Sequence, residues 1–370
     1  MRLEIDLALL GLAGDDNGEV LADLDIRYFL ENISDEGQRY GFVIAGRAER
    51  DSGRIGWGGQ AGLCPSGLAD CPQTPLRGYT SGLQAETAGE RDNGVRSALT
   101  EAFFFLHTGW GEWRVGYGDG AARQDATAGP AAFRTVRADG GRLDPTGLNA
   151  ARTQNYASGQ APKLLFRSIP LGQISTIGTF RASASITPEA RDCGVDYCAF
   201  GTGPGLVRSA KPSWIAEFGG LYEVQRGEQE WAVSIGWAQS LDEDGNPAFD
   251  RLSTYDAGLS WQRGNWLAGA RWLRSDNAVT GDGDYEALSA SMGYENGPWM
   301  TTLEWASFSD NLVHADGETW QVGTSWLGER WLLGAGIQHG HRRDPSLTPQ
   351  GRRGDDTEFT VFFAEASWRY

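Results

Sequence analysis

Four segments of this chain carry two tryptophans six residues apart: Trp231 and Trp237, Trp266 and Trp272, Trp299 and Trp305, Trp320 and Trp326. Successive side chains of an extended strand point to opposite faces, so an even spacing sends both rings of a pair out of the same face. Between the rings that face is small or apolar, with Val233 and Ile235, Ala268 and Ala270, Thr301 and Leu303, Val322 and Thr324. The alternate face reads Ala232, Ser234 and Gly236, then Gly269 and Arg271, Thr302 and Glu304, Gln321 and Gly323. At a rise of ~3.3 Å per residue the two rings stand about 20 Å apart along a strand, or about 15 Å along an axis tilted near 40°. A buried core has no reason to put rings at both strand ends and small residues between them. Two aromatic girdles flanking an apolar band about 25 Å tall do have that reason, because amphipathic rings are most stable at the margins of a lipid layer.

The same period of two runs through the chain. Leu3, Ile5, Leu7 and Leu9 alternate with Arg2, Glu4 and Asp6; Val20, Ala22, Leu24, Ile26, Tyr28 and Leu30 alternate with Asp23, Asp25 and Arg27. Turn residues bracket such runs, and sixteen strands are predicted near residues 2–12, 19–31, 39–49, 95–107, 112–119, 154–168, 172–187, 212–226, 230–240, 253–263, 266–275, 284–295, 299–307, 318–327, 330–341 and 357–370. Links at one end are short, as at 108–111, 227–229, 264–265, 296–298 and 328–329; links at the other are long, at 51–94, 120–153, 188–211, 241–252 and 342–356. An all-β, 16-stranded antiparallel transmembrane barrel follows, one domain over 1–370, with short periplasmic turns and long extracellular loops.

Other classes fall away. The longest clean apolar run, Ala102 to Leu106, is far below the roughly 18 residues of a spanning helix. Glycine (52 of 370) and tryptophan (15) are abundant while proline is scarce (14), which suits neither a linker nor a helical bundle. A formal charge of −17 argues against nucleic-acid binding, which needs a basic face. The four cysteines fall into two close pairs, Cys64 with Cys71 and Cys193 with Cys198, spaced too widely for a C-x-x-C motif. Loop-clipping disulfides in an oxidising compartment are expected in preference to free thiols. No leader precedes Arg2, so the chain reads as a mature one with an added methionine, and export is an inference.

Catalytic signatures are thin, and neither an enzymatic activity nor a cofactor is expected. His339 and His341 share a face but bring no further ligand. The stretch Asp242 to Pro247 lacks glycine at the turn position of a calcium loop. Gly116 to Gly120 follows a strand but leads into a loop, so turn glycines explain it better than a phosphate site.

The chain ends on Phe362, Ala364, Ala366, Trp368 and Tyr370, with Glu365 and Arg369 on the alternate face. This is similar to the terminal assembly signal of outer-membrane barrels. The third long loop, entered through Trp113 to Asp119 and left through Arg152 to Asn155 and Ala161 to Lys163, completes a pattern that resembles the general trimeric porins of Gram-negative bacteria over the whole chain. The resemblance implies a bacterial outer-membrane location among lipid and lipopolysaccharide, a homotrimer, and a water-filled channel for passive diffusion of small hydrophilic solutes and ions. A substrate-specific channel, or an outer-membrane hydrolase, is the alternative.

It also implies a third loop folded inward as the constriction, carrying Asp119, Arg123, Asp125, Arg134, Arg137, Asp139, Arg142 and Asp144. Facing it, the lumen wall would present Arg27, Arg47, Arg114 and Arg167 with Asp23 and Asp25. The loop lacks the family's Pro-Glu-Phe-Gly-Gly stretch and is as basic as it is acidic. Each wall arginine could instead pair with Asp23, Asp25 or Glu49. By parity the lumen acids, Glu4, Asp6, Asp23, Asp25, Glu112, Glu217, Glu223, Asp256 and Glu304, outnumber the bases, so a mild cation preference is expected. The resemblance further implies that the loop at 51–94 latches onto a neighbouring subunit; a lid over its own pore is the other reading. Twelve of thirteen strand tryptophans lie from Trp214 onward, so the ring-poor sector of Leu3, Ile5, Leu7, Val20, Leu24 and Ile26 is expected to face other subunits.

Overall fold

A computed structural model of the chain describes residues 1–13, 19–51, 76–82, 95–148, 151–174, 178–190, 208–242, 246–348 and 351–370. Among them sixteen long strands form one antiparallel sheet: β1 Arg2–Ala13, β2 Val20–Ile33, β3 Arg39–Arg50, β4 Arg96–His107, β5 Gly111–Gly118, β6 Ala161–Ser168, β7 Gly178–Glu189, β8 Ser213–Arg226, β9 Gln229–Ser240, β10 Ser253–Arg263, β11 Trp266–Ser275, β12 Tyr285–Asn296, β13 Trp299–Asp310, β14 Ala315–Leu327, β15 Trp331–Thr348 and β16 Gly351–Arg369. Each pairs with its sequence neighbour, and β1 pairs with both β2 and β16, from Asp6 opposite Arg369 to Ala13 opposite Phe362, which closes the barrel. A barrel of this size is too wide for wall side chains alone to fill.

The tryptophans stand on the outer face, and the register joins them across strands. Trp231 lies opposite Trp261, Trp299 opposite Trp326 and Trp331 opposite Trp368 at the short-turn end; Trp305 lies opposite Trp320 nearer the long loops. Ring centroids are 6.1 Å apart in Trp231–Trp261, 6.0 Å in Trp305–Trp320 and 6.4 Å in Trp331–Trp368. No helix of the described residues is long and apolar enough to cross a membrane, so the crossing is made by strands.

Two strand boundaries depart from the sequence reading. β6 starts at Ala161 rather than 154, because the chain before it is still tied inside the barrel: Thr153 donates to Asp139 of the loop (2.7 Å) and Asn155 to Asp256 of the β10 wall (2.8 Å). The segment expected as a loop at 342–356 instead continues the β15–β16 ladder out to Thr348 opposite Gly351. Its alternating positions are polar on both sides, so the ladder left no apolar signature. A single-residue bulge interrupts β4: Ala45 faces Glu101 and Gly46 faces Leu99, which leaves Thr100 unpaired. Arg96 and Glu101 are an odd number apart, yet each reaches an inner-wall partner, Glu49 for Arg96 (3.1 Å) and Arg27 for Glu101.

Much of the interior is packed. Three apolar clusters fill it where the chain between β5 and β6 meets the wall. Phe133, Val136 and Leu143 pack with Leu10, Leu21 and Phe363; Ala138 and Ala151 pack with Leu273, Tyr285 and Phe308; Ala157 packs with Ile215, Ala238, Phe249, Leu252 and Val279. All four cysteines lie outside the described residues, as does most of the loop at 51–94.

Candidate pore constriction

The third loop rests on the inner wall wherever that wall lacks side chains. A Cβ on Gly219 would meet the carbonyl oxygen of Ala121 at 2.4 Å, one on Gly258 that of Thr127 at 2.2 Å, and one on Gly269 the Cα of Gly129 at 2.5 Å. Phe133 packs its ring over Gly323, Gly334 and Gly336 in the same way, edge-on to Phe363 with centroids 4.8 Å apart. The small inner-face residues that read as the lining of a wet lumen are thus, on β8, β10, β11, β14 and β15, seats for the loop.

The wall's carboxylates and hydroxyls bind the loop's backbone. Glu217 accepts from the Ala121 amide (3.0 Å) and the Ser185 hydroxyl (2.6 Å). Ser234 takes the Thr127 amide (2.9 Å) and Thr302 the Ala132 amide (3.2 Å). Glu365 accepts from the amides of Arg134 (3.2 Å) and Thr135 (3.1 Å) and from the Thr135 hydroxyl (2.6 Å), and Glu304 accepts from Ala138 (3.3 Å). A backbone run through a protein interior leaves its amides needing acceptors, and these acids supply them. Glu217, Asp256 and Glu304 are therefore buried against the loop rather than facing water.

The acids expected on the loop turn away as well. Asp125 is buried beneath Arg167, whose Nε donates to it at 2.8 Å. Asp139 is buried between Arg137 (2.9 Å) and the hydroxyls of Thr153 (2.7 Å) and Ser289 (2.8 Å). Burial alone would raise its pKa, but the Arg137 guanidinium and these donors outweigh it and hold the carboxyl below the usual range. Asp144 closes a turn by accepting from the Thr146 amide (3.0 Å) and hydroxyl (2.7 Å). Asp119, which pairs with Arg123 (2.8 Å), is the one predicted loop acid bordering the cavity described next.

That cavity, about 630 Å³, lies between the loop and the wall of β16 and β1 to β4. Nine arginines border it, Arg2, Arg27, Arg47, Arg123, Arg134, Arg137, Arg142, Arg152 and Arg369, against five acids, Glu4, Asp6, Asp25, Glu101 and Asp119. Of the predicted wall residues, Arg27, Arg47 and Asp25 border it; Asp23 is buried beneath Arg47 and Arg142, while Arg114 and Arg167 stand elsewhere on β5 and β6. Arg114 pairs there with Glu112 and donates to Gln124 (3.0 Å). The wall arginines all have acidic partners, and the pairs are lopsided. The Arg142 side chain is 44% exposed while Asp23, 2.9 Å away, is 3% exposed; the Arg167 side chain is 28% exposed and that of Asp125 fully covered. Arg47 likewise covers Glu49 (2.6 Å), which Arg96 also reaches.

Sequence parity did not single out Arg152 or Tyr156. The guanidinium carbons of Arg123 and Arg152 stand 3.8 and 4.0 Å from the centre of the Tyr156 ring, a cation–π stack at the cavity's edge. Arg134, Arg137, Arg142 and Arg152 all precede Tyr156 within 22 residues, and spacing alone did not single out Arg123 and Arg152 as the pair that stacks. On the outer surface His339 and His341 pair with Glu358 (3.6 Å) and Asp356 (3.8 Å), and among the described residues there is no group of three or more His, Cys, Asp or Glu side chains able to hold a metal.

Comparison with known proteins agrees with this architecture. Among solved structures, a porin refined at 1.8 Å superposes with a TM-score of 0.55 at 12% identity, covering 100% of this chain and 99% of its own. An anion-selective porin from Comamonas acidovorans gives 0.51 at 12% identity, covering 100% and 99%, and OmpT, an outer membrane protein of Vibrio cholerae in a trimer form, gives 0.51 at 11% identity, covering 100% and 98%. At such identities the likeness speaks for the fold. No curated protein sequence matches significantly. The sequence model for Gram-negative porins matches residues 76–364, most of the barrel, and with the closed sixteen-stranded wall and outer girdles it identifies the chain as a member of the Gram-negative porin family, a channel of the bacterial outer membrane.

Proposed function

We propose that this porin passes small hydrophilic solutes by passive diffusion along one side of its barrel, and that the passage favours anions. Where the third loop and its apolar contacts meet β8 to β15 the lumen is filled, so the water path past that loop runs between it and the β16, β1 to β4 wall. One observation carries the anion preference: in the Arg47–Asp23, Arg47–Glu49 and Arg142–Asp23 pairs of this passage the carboxylate lies underneath and the guanidinium on top. Ions in the passage meet the positive ends first, and in a narrow, low-dielectric channel the nearest charges dominate. The parity count that favoured cations included Asp23, Glu217, Asp256 and Glu304, which are buried. The chain's overall −17 does not decide the sign, because selectivity follows the charges that line the narrowest part.

On this reading the protein is a channel without catalytic activity. It assembles as a homotrimer through the ring-poor β1 to β6 sector, where Leu3, Leu7, Leu9, Val20 and Ile26 face outward, while the tryptophan girdles meet lipid and lipopolysaccharide elsewhere. The test is a reversal potential in a potassium chloride gradient across a planar bilayer. Chloride preference is expected, and it should move toward cations in Arg142→Glu; a wild-type potential favouring potassium would overturn the anionic reading. Closure in three equal steps would report the trimer.

A further inference from the structure

We infer that the segment at 76–82 of the second long connection narrows this channel from inside its own barrel, and that Tyr79 and Thr80 are the size-determining residues that hold it there. Both are buried, although they belong to the longest connection of a surface loop set. The Tyr79 amide donates to the carbonyl of Asn277 (2.8 Å), and its hydroxyl donates to the carbonyl of Ala157 in the third loop (2.8 Å). Its ring packs among Ile215, Ala238, Phe249 and Leu252. The Thr80 hydroxyl meets that of Ser275, at the loop end of β11, at 2.6 Å. Just before Tyr79, Leu76–Arg77 pairs in parallel with Arg208–Ser209 of the fourth long loop. These contacts reach across the mouth from the β3–β4 connection to β8 to β11.

The receiving turn is itself held in an uncommon shape. Asn277 and Ala278 both have positive φ (57° and 54°), a left-handed conformation that residues with a Cβ rarely adopt. The turn is kept by the Asn277 side-chain amide donating to Gly283 (2.7 Å) and by Asp276 accepting from Ala278 (2.9 Å). In that shape the Asn277 carbonyl receives Tyr79. An apolar seal therefore covers the mouth on the β8–β11 side and leaves entry on the arginine side. This is the lid reading of the loop rather than the latch reading, and it holds whichever ions the channel prefers.

Two measurements test it. Tyr79→Ala removes the ring and both its roles; a rise in single-channel conductance and passage of neutral oligosaccharides that the wild type excludes from liposomes are expected. Unchanged conductance and an unchanged size limit would overturn the inference. Because Tyr79→Ala could fail to assemble, Thr80→Cys with Ser275→Cys supplies a second readout in the full-length protein: oxidation should join positions 80 and 275 within one polypeptide, as seen by peptide mass mapping. A cross-link between polypeptides, or none at that pair, would overturn it equally.

Discussion

Glu365 offers the sharpest measure of how firmly the constriction loop is held. Its buried carboxylate accepts from three donors of the loop: the amides of Arg134 and Thr135 and the Thr135 hydroxyl. Replacing it with alanine leaves those donors without an acceptor in a site that excludes water, at about 1–3 kcal/mol for each buried group. Partial rewetting of the loop edge near the cavity lowers the sum, so about 2–4 kcal/mol is expected for Glu365→Ala. At 1.4 kcal/mol per factor of ten, the loop should detach from the wall about 30 to 1,000 times more often. Detachment exposes the bonds after Arg134 and Arg137, which trypsin cuts, and cleavage of a transiently opened segment follows its opening equilibrium when reclosing is fast. Limited trypsinolysis of the folded barrel in detergent, with fragments mapped by mass, gives the ratio directly. Glu365→Gln, which keeps one acceptor oxygen, should fall between. Cleavage of Glu365→Ala at the wild-type rate would refute the account of wall acids as anchors for the loop backbone.

Two further outcomes follow from the same geometry. The Asp139 carboxyl is held below the usual range, so its stabilisation is complete above about pH 4, the ordinary carboxylate value, and is lost only as the pH falls through the lower native value. The destabilising effect of Asp139→Asn on loop protection should accordingly be the same at pH 7 and pH 5; an effect that vanished at pH 5 would contradict it. Gly269→Val puts a side chain where the Gly129 backbone lies 2.5 Å from an ideal Cβ, and overpacking of this kind typically costs about 1–3 kcal/mol; faster tryptic cleavage of the loop with an intact barrel is expected, and wild-type protection would show that the loop does not rest there.

The wall was legible because lipid and water write a period of two into every strand, and the rings mark how far the lipid reaches. Parity assigns Glu217, Asp256 and Glu304 to the inner face correctly, and the structure places them there. What parity cannot say is whether an inner residue meets water or another part of the chain. That depends on the path of the third loop, which carries no periodic signal and follows glycines such as Gly219 and Gly258 whose meaning appears only once the loop lies on them. The same blindness turned three of four loop acids, Asp125, Asp139 and Asp144, into expected pore residues when their partners hold them aside. The outer end of the β15–β16 ribbon was missed for a different reason: residues 342–356 are nearly all polar, so the alternation that reveals strands is missing from them.

The unpaired Thr100 has a consequence for how this barrel tolerates change. It acts as a phase shifter: residues on its two sides obey opposite odd–even rules, so that Arg96 and Glu101 can serve the same aqueous compartment. Drawing that one residue into a regular ladder would leave composition untouched yet turn the first half of the strand over, carrying Arg96 to the hydrocarbon side and Leu99 into the passage, whereas deleting it would only close the bulge with Arg96 still opposite Glu49. A cationic side chain at the bilayer midplane costs about 2–4 kcal/mol, falling toward zero near the interface, and Glu49 would lose Arg96 as a counter-ion. Register, more than length or residue identity, is what this stave cannot vary.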